Sequence, residues 1–374
     1  MSAPAAGRRV LGPLIFALVM AALGAVCALP ASAAPPALWD PSAPETAAVT
    51  VRLSGSGGRV WRIDPLQDAL PPALPVLRDA CPPFLRLWTV VLRGREVPCT
   101  ARDATFPRGL FTQAEIEAAL DWLPHLERAD LCALYLENDT AEALTAARPD
   151  LRLVWMVNVL DMRLRSDIQC FSTLQDSSKP PCTDRQLEPL LRCCTELRAL
   201  DLGHNRVRDL SLIGKLKHLQ VLVIADNPVQ DLTPLENLTE LEYLEMFQCN
   251  YVEDFSPLGA LANLRCLNAG FCVHLTDLDF LDGLERLEMA WFPAEKDHFS
   301  AELRRRAEEK HPDTRFLFDS EIMGSTADGW RATERNVAIR RAFVNWPQVL
   351  SFESWDEVTY REGAWLTPVH PMQH

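Results

Sequence analysis

Residues 197–218 read LRALDLGHNRVRDLSLIGKLKH, and residues 219–240 read LQVLVIADNPVQDLTPLENLTE. The second stretch repeats the first. Leu197, Leu200, Leu202, Asn205, Val207, Leu210, Ile213 and Leu216 recur 22 positions on as Leu219, Leu222, Ile224, Asn227, Val229, Leu232, Leu235 and Leu238, and Leu241 opens a third unit. A fixed period near 20 residues signals a solenoid, in which units stack because none can bury its apolar side alone.

The physical reason lies in the spacing. Apolar residues two apart send alternate side chains inward from a short strand. The later spacing of three returns the chain on a helical or 3₁₀ segment with one buried face. The asparagine turns inward and bonds backbone groups of the bend that would otherwise be buried and unpaired. A third unit runs Leu241, Leu244, Met246, Cys249, Val252, Phe255, Leu258, Leu261. A fourth runs Leu264, Leu267, Ala269, Cys272, Leu275, Leu278, Leu281. A fifth strand is placed in the register Leu284, Leu287, Met289, with a start at Leu287 as the alternative. The pattern LxxLxLxxN is that of a leucine-rich repeat. The predicted fold is an α/β solenoid with a curved parallel sheet on its concave face and N- and C-terminal caps.

The rest of the chain is divided around these repeats. Residues 1–33 read as a secretory signal: Arg8 and Arg9, an apolar run from Val10 to Leu29, then Pro30-Ala31-Ser32-Ala33 as a cleavage site. Residues 34–110 read as a mobile leader, with one strand at Ala48–Leu53, followed by an N-terminal cap. Residues 111–160 read as irregular repeats, with Thr112 and Glu115 as a capping box and Leu131, Leu134 and Leu136 as LxxLxL. Residues 161–182 read as an inserted loop, 183–296 as regular repeats and 297–374 as a C-terminal cap. The cap holds a charged helix at Ala301–Lys310, a strand at Thr314–Phe318, and the aromatic side chains of Trp330, Phe343, Trp346, Trp355 and Trp365. A second reading of these aromatics is a surface for glycans. No second long apolar run follows the signal, so no membrane span is expected after its removal.

Signal removal leaves 341 residues and takes the formal charge from −14 to −16, because Arg8 and Arg9 leave. So acidic a chain is not expected to bind nucleic acid or anionic lipid. Ten cysteines would remain. Cys249 and Cys272 hold the asparagine slot of neighbouring units, where strands about 4.8 Å apart would tolerate a disulfide. Two buried thiols replacing the asparagine are the simpler reading. Cys170 and Cys182 bracket the insertion and would staple it. No CxxC and no His–Cys ligand spacing occurs, so neither metal nor cofactor is expected.

The chain resembles the secreted leucine-rich-repeat proteins of gut Firmicutes, related to the internalin-like and ribonuclease-inhibitor-like groups. The likeness rests on the repeats, on Arg148-Pro149-Asp150-Leu151 with Trp155, and on Gly324-Ser325-Thr326-Ala327-Asp328-Gly329-Trp330-Arg331. It spans roughly residues 100–345. Unlike surface-anchored internalins, the sequence shows no sorting motif, cell-wall-binding repeat or terminal anchor. The expected location is extracellular, with cell-surface association as the alternative.

In this fold the side chains between the inward leucines face the concave surface. They are Asp201, His204, Val223, Asp226, Tyr243, Glu245, Phe247, Gln248, Asn268, Phe271, Glu288 and Trp291. Aromatic anchors dominate protein-binding hot spots, and carboxylates hasten the approach of a basic partner. The expected function is non-catalytic protein recognition through this face. Alternatives are a structural or adhesive envelope component and an enzyme inhibitor. Catalysis is not expected, since HExxH, GxSxG and P-loop motifs are all absent. His204 and Cys266 would stand three rungs apart, about 14 Å by strand spacing, too far for a dyad. Oligomeric state and partner identity are not legible.

Overall fold

A computed structural model describes residues 47–54, 60–66, 86–173, 180–293, 298–318 and 330–360 of the chain. The signal at 1–33, most of the 34–60 leader, Ser177–Lys179, Gly324–Gly329 and Trp365 lie outside the described residues. The chain divides into two compact units, 1–156 and 157–374.

In the first unit, β1 (Val49–Ser54), β2 (Val60–Ile63), β3 (Trp88–Leu92) and β4 (Arg95–Pro98) form an antiparallel sheet in the order β2-β1-β3-β4. β1 lies within the stretch read as leader. Its Val49, Val51 and Leu53 are buried, so alternation ties it into a core. Trp88 donates its indole N–H to the Trp122 carbonyl at 2.7 Å and meets the Trp122 ring edge-on. A parallel sheet follows, built from β5 (Asp103–Thr105), β6 (Arg128–Asp130) and β7 (Arg152–Val154). Two helices separate its strands, α1 (Gln113–Asp121) and α2 (Asn138–Ala147). Thr112 and Glu115 form the predicted capping box on α1. The register Leu131-Leu134-Leu136 is corrected: Ala129 pairs with Leu153, so the rung reads Leu126, Ala129, Leu131. A small alanine in the middle slot hid it.

In the second unit, β8 (Met156–Val159), which starts one residue before the boundary, and β9 (Met162–Arg165) form a ribbon. It turns at Leu160 and Asp161, both at positive φ. The regular repeats then build a seven-stranded parallel sheet. Its strands are β10 (Cys170–Ser172), β11 (Ala199–Asp201), β12 (Val221–Val223), β13 (Tyr243–Glu245), β14 (Cys266–Asn268), β15 (Met289–Trp291) and β16 (Arg315–Leu317). Phe171, Leu200, Leu222, Leu244, Leu267 and Ala290 align across the strands and point into the solenoid core, each fully buried.

Two expectations are corrected here. The stretch 161–182 is not simply an inserted loop, because it supplies β9 and β10. Ile168, Phe171 and Thr173 are the LxxLxL slots of an extra rung, disguised by an aromatic and a polar residue. Its outer side is α3 (Asp184–Cys193). The last register starts at Leu287, not Leu284, since Leu267 pairs with Ala290. Alanine in the middle slot is again the reason.

The asparagine column works as the spacing implies. Asn227 Nδ2 donates to the carbonyls of Leu202, Ile224 and Ala225, and its Oδ1 accepts from the Val207 N–H at 2.9 Å. One rung on, the Cys249 thiol donates to the Ile224 carbonyl at 3.3 Å, and Cys272 does the same to Met246 at 3.2 Å. Both are free thiols, and no disulfide joins Cys170 to Cys182. Burial pushes the Cys249 thiol up to about 12. On the convex side, 3₁₀ turns stack at Ile213–Lys215, Thr233–Asn237, Ser256–Ala260 and Asp279–Gly283. Asp209, Asp231, Asp254 and Asp277 each accept the N–H two residues on, starting these turns. Beyond β15, α4 spans Ala301–Lys310, as predicted, and leads into the edge strand β16.

Candidate functional site

The outward side chains of β10 to β15 do not face open solvent. Residues 330–360 cross them as a 3₁₀ turn (Trp330–Ala332), α5 (Glu334–Val344), a second 3₁₀ turn (Trp346–Gln348) and a hairpin of β17 (Val349–Phe352) and β18 (Val358–Tyr360). Thr333 caps α5 by accepting the Asn336 N–H. Asn336, Ile339, Ala342 and Phe343 form the buried stripe of α5, spaced at three and four as a helix seated on a sheet requires. Ile339, Ala342 and Phe343, together with Trp330, Phe352 and Trp355, make an apolar layer with Cys170, Ala199, Val221, Tyr243, Cys266, Met289 and Trp291.

The predicted site residues therefore fall into two groups. Those on the strands are covered: Tyr243 and Asn268 are each 1% exposed, Trp291 4%, Glu245 7% and Asp201 9%. Val223 and Phe247 are half-buried against the same layer. A polar network runs through it. Trp330 Nε1 donates to Tyr243 Oη at 2.9 Å and Asn336 Nδ2 donates to the same oxygen at 2.7 Å. Tyr243 Oη in turn donates to Glu245 Oε2 at 2.9 Å. Burial drives the Tyr243 hydroxyl well above its ordinary value. Asp201 accepts from Gly203 N–H and from Ser172 Oγ at 3.0 Å, and burial raises its carboxyl despite these bonds.

Glu288 belongs to a different position from the one predicted. With the register at Leu287, it precedes β15 instead of lying within it. It accepts from Arg335 at 2.7 Å and Arg265 at 2.5 Å. Both guanidiniums lie over the Trp355 ring, at 4.7 Å and 5.2 Å. Burial pulls the Glu288 carboxyl up, but the hydrogen bonds from Arg335 and Arg265 outweigh it and hold the group low. Arg335 also touches the Cys266 thiol at 3.1 Å. Burial still raises that thiol, which leaves it a poor nucleophile.

The second group stays open. His204, Asp226, Gln248 and Phe271 sit at the strand-end bends, all at positive φ of 57°, 52°, 62° and 59°. His204 Nδ1 lies 3.0 Å from Asp226 Oδ2, with both side chains about half exposed. A groove of about 410 Å³ opens here, lined by His204, Arg206, Asp226, Gln248, Asn250 and Tyr251 among others. Tyr251 is 60% exposed. Phe247 bridges the two groups, with ring centroids 5.2 Å from Phe271 and 5.6 Å from Trp291. Among the described residues no cluster of His, Cys, Asp and Glu could hold a metal ion. None of the described helices is long and apolar enough to cross a membrane.

The sequence reading placed Trp330 among the cap aromatics and missed Arg335 and Asn336. A signal was present in ERNVAIRRAFV, a short amphipathic helix with three arginines against one glutamate, opposite a face predicted to be acidic.

The leucine-rich-repeat family pattern matches twice, over residues 195–237 and 217–260. No curated protein matches the chain. Among solved structures, internalin C2 of Listeria monocytogenes is 22% identical, covering 49% of this chain and 84% of its own, with a TM-score of 0.29. A second internalin of that organism (inlF) is 18% identical over 60% of this chain and 68% of its own, TM-score 0.31. A leucine-rich-repeat protein of Leptospira interrogans is 18% identical over 59% of this chain and 55% of its own, TM-score 0.29. The seven-stranded parallel sheet and its repeats define an α/β leucine-rich-repeat solenoid. Repeats of this class generally mediate protein–protein interaction.

Proposed function

We propose that this chain is a secreted, non-catalytic protein-recognition module that meets its partner on the concave side of its repeat sheet. The open part of that side is the strand-end row of His204, Asp226, Gln248 and Phe271 with Tyr251. One observation carries this reading: the row presents aromatic, acidic and imidazole side chains from consecutive rungs of a single parallel sheet. A surface so built loses little freedom on binding. The formal charge of −14 favours a basic protein partner and disfavours nucleic acid. The apolar run at 10–29 supports export.

Affinity capture from cell-surface extracts would compare the parent with a variant carrying His204→Ala, Asp226→Ala, Gln248→Ala and Tyr251→Ala. The parent is expected to hold a specific protein that the folded variant loses. Equal capture by both would move the surface elsewhere. Export is tested by fractionating cells that produce the whole sequence. Shortened protein in the medium is expected, whereas full-length protein in the pellet would favour an envelope-retained component.

A further inference from the structure

The concave face already holds a protein segment, and that segment has the chemistry expected of a partner. Two of the three arginines of α5 answer an acidic face: Arg335 bonds Glu288, and Arg340 lies close enough to Asp201 to steady its charge. Trp330 supplies the aromatic anchor, buried to 1% and hydrogen-bonded to Tyr243.

This layer is separate from the leucine core. The inward residues from Leu200 to Ala290 pack on the other side of the sheet, while the Phe171 ring, at 4.9 Å from that of Trp346, joins the first rung to the covering segment. The helix also carries its own ends. Thr333 caps one, and Asn345 Nδ2 donates to the Arg341 carbonyl at the other. Among the described residues, Trp291 Nε1, Asn336 Oδ1 and Arg340 Nε have no hydrogen-bond partner. An uncovered strip of Val221, Tyr243, Cys266, Met289 and Trp291 would be apolar, so the segment leaves by replacement, not by simple opening.

We propose that residues 330–360 are an intramolecular ligand of the concave face, and that the partner displaces them with a basic amphipathic helix led by a tryptophan. This rests on the recognition reading above and names the chemistry of its partner.

The test uses the full chain and a fluorescent synthetic peptide of residues 330–345. The parent is compared with Trp330→Ala and with the milder Asn336→Ala. Tethering gives the resident segment a high effective concentration, so weakening it should tighten peptide binding by about tenfold or more. Maleimide labelling of Cys266, located by mass mapping, should be slow in the parent and faster in both variants. Added peptide should slow it again, and a control peptide carrying Arg335→Glu should not. Failure of the peptide to bind or to protect Cys266 overturns the proposal. So does loss of cooperative unfolding in both variants, which would make the segment an integral part of the core. If exchange fails while partner capture through the strand-end row persists, only this inference falls. If capture fails as well, the recognition reading falls with it.

Discussion

Asn227 fixes three carbonyls and one N–H at a buried bend, so its loss leaves several groups unsatisfied. Asn227→Ala should destabilise the chain by about 2–4 kcal/mol in urea unfolding, at 1–3 kcal/mol per stranded group. Cys272 makes one weaker bond in the matching slot, so Cys272→Ala should cost only about 1 kcal/mol. Both roles were legible in the sequence, because the column recurs with the repeat. The state of Asp201 was not. Its burial depends on Ser172, from a rung that the leucine pattern does not reveal, and on a helix more than a hundred residues away. Burial raises its carboxyl above the unfolded 3.8, so the folded chain pays for ionising it as pH climbs through and beyond that value. Asp201→Asn removes this cost. The variant should melt higher than the parent at pH 7, with the gap closing as pH falls to 3.8. Glu288 runs the other way. Its lowered carboxyl stabilises the fold above its unfolded 4.5, and that contribution is lost as pH falls through the folded value.

Elements whose signal is local were read closely: the α1 capping box, the charged helix α4 and the strand before Phe318. Elements whose rung carries alanine or a polar residue in a leucine slot were misplaced, as with β6, β10 and β15. The pattern marks a strand only where the inward side chain is large. The convex turns stack with their backbones in close approach at Gly214 and Gly283. A Cβ on Gly283 would meet the Gly259 carbonyl oxygen at 1.9 Å, backbone against backbone. Gly283→Ala should therefore destabilise by about 1–3 kcal/mol, the usual cost of overpacking, and thermal unfolding would measure it.

The second unit holds two apolar layers with one sheet between them. The repeat spacing disclosed the first layer and gave no hint of the second, because a period describes contacts between neighbouring rungs and not a distant segment folding back. The two layers should respond differently to truncation. Leu222→Ala opens a void among the stacked leucines and should cost about 2–5 kcal/mol of global stability. Ile339→Ala touches only the covering layer. It should leave the main unfolding transition nearly in place while hydrogen exchange in α5 quickens. A shared loss of the main transition would show that the layers unfold as one.

The bends that follow β11 to β14 share one left-handed backbone position and fill it with histidine, aspartate, glutamine and phenylalanine. Four unlike side chains on the same main-chain geometry mean that the bend asks almost nothing of the residue it displays. Its hydrogen bond to the next rung comes from the main-chain N–H, as with His204 to the Ala225 carbonyl and Asp226 to that of Phe247. The column is thus a row of interchangeable letters on a fixed frame, and a library varied at these four positions should yield folded chains with new preferences.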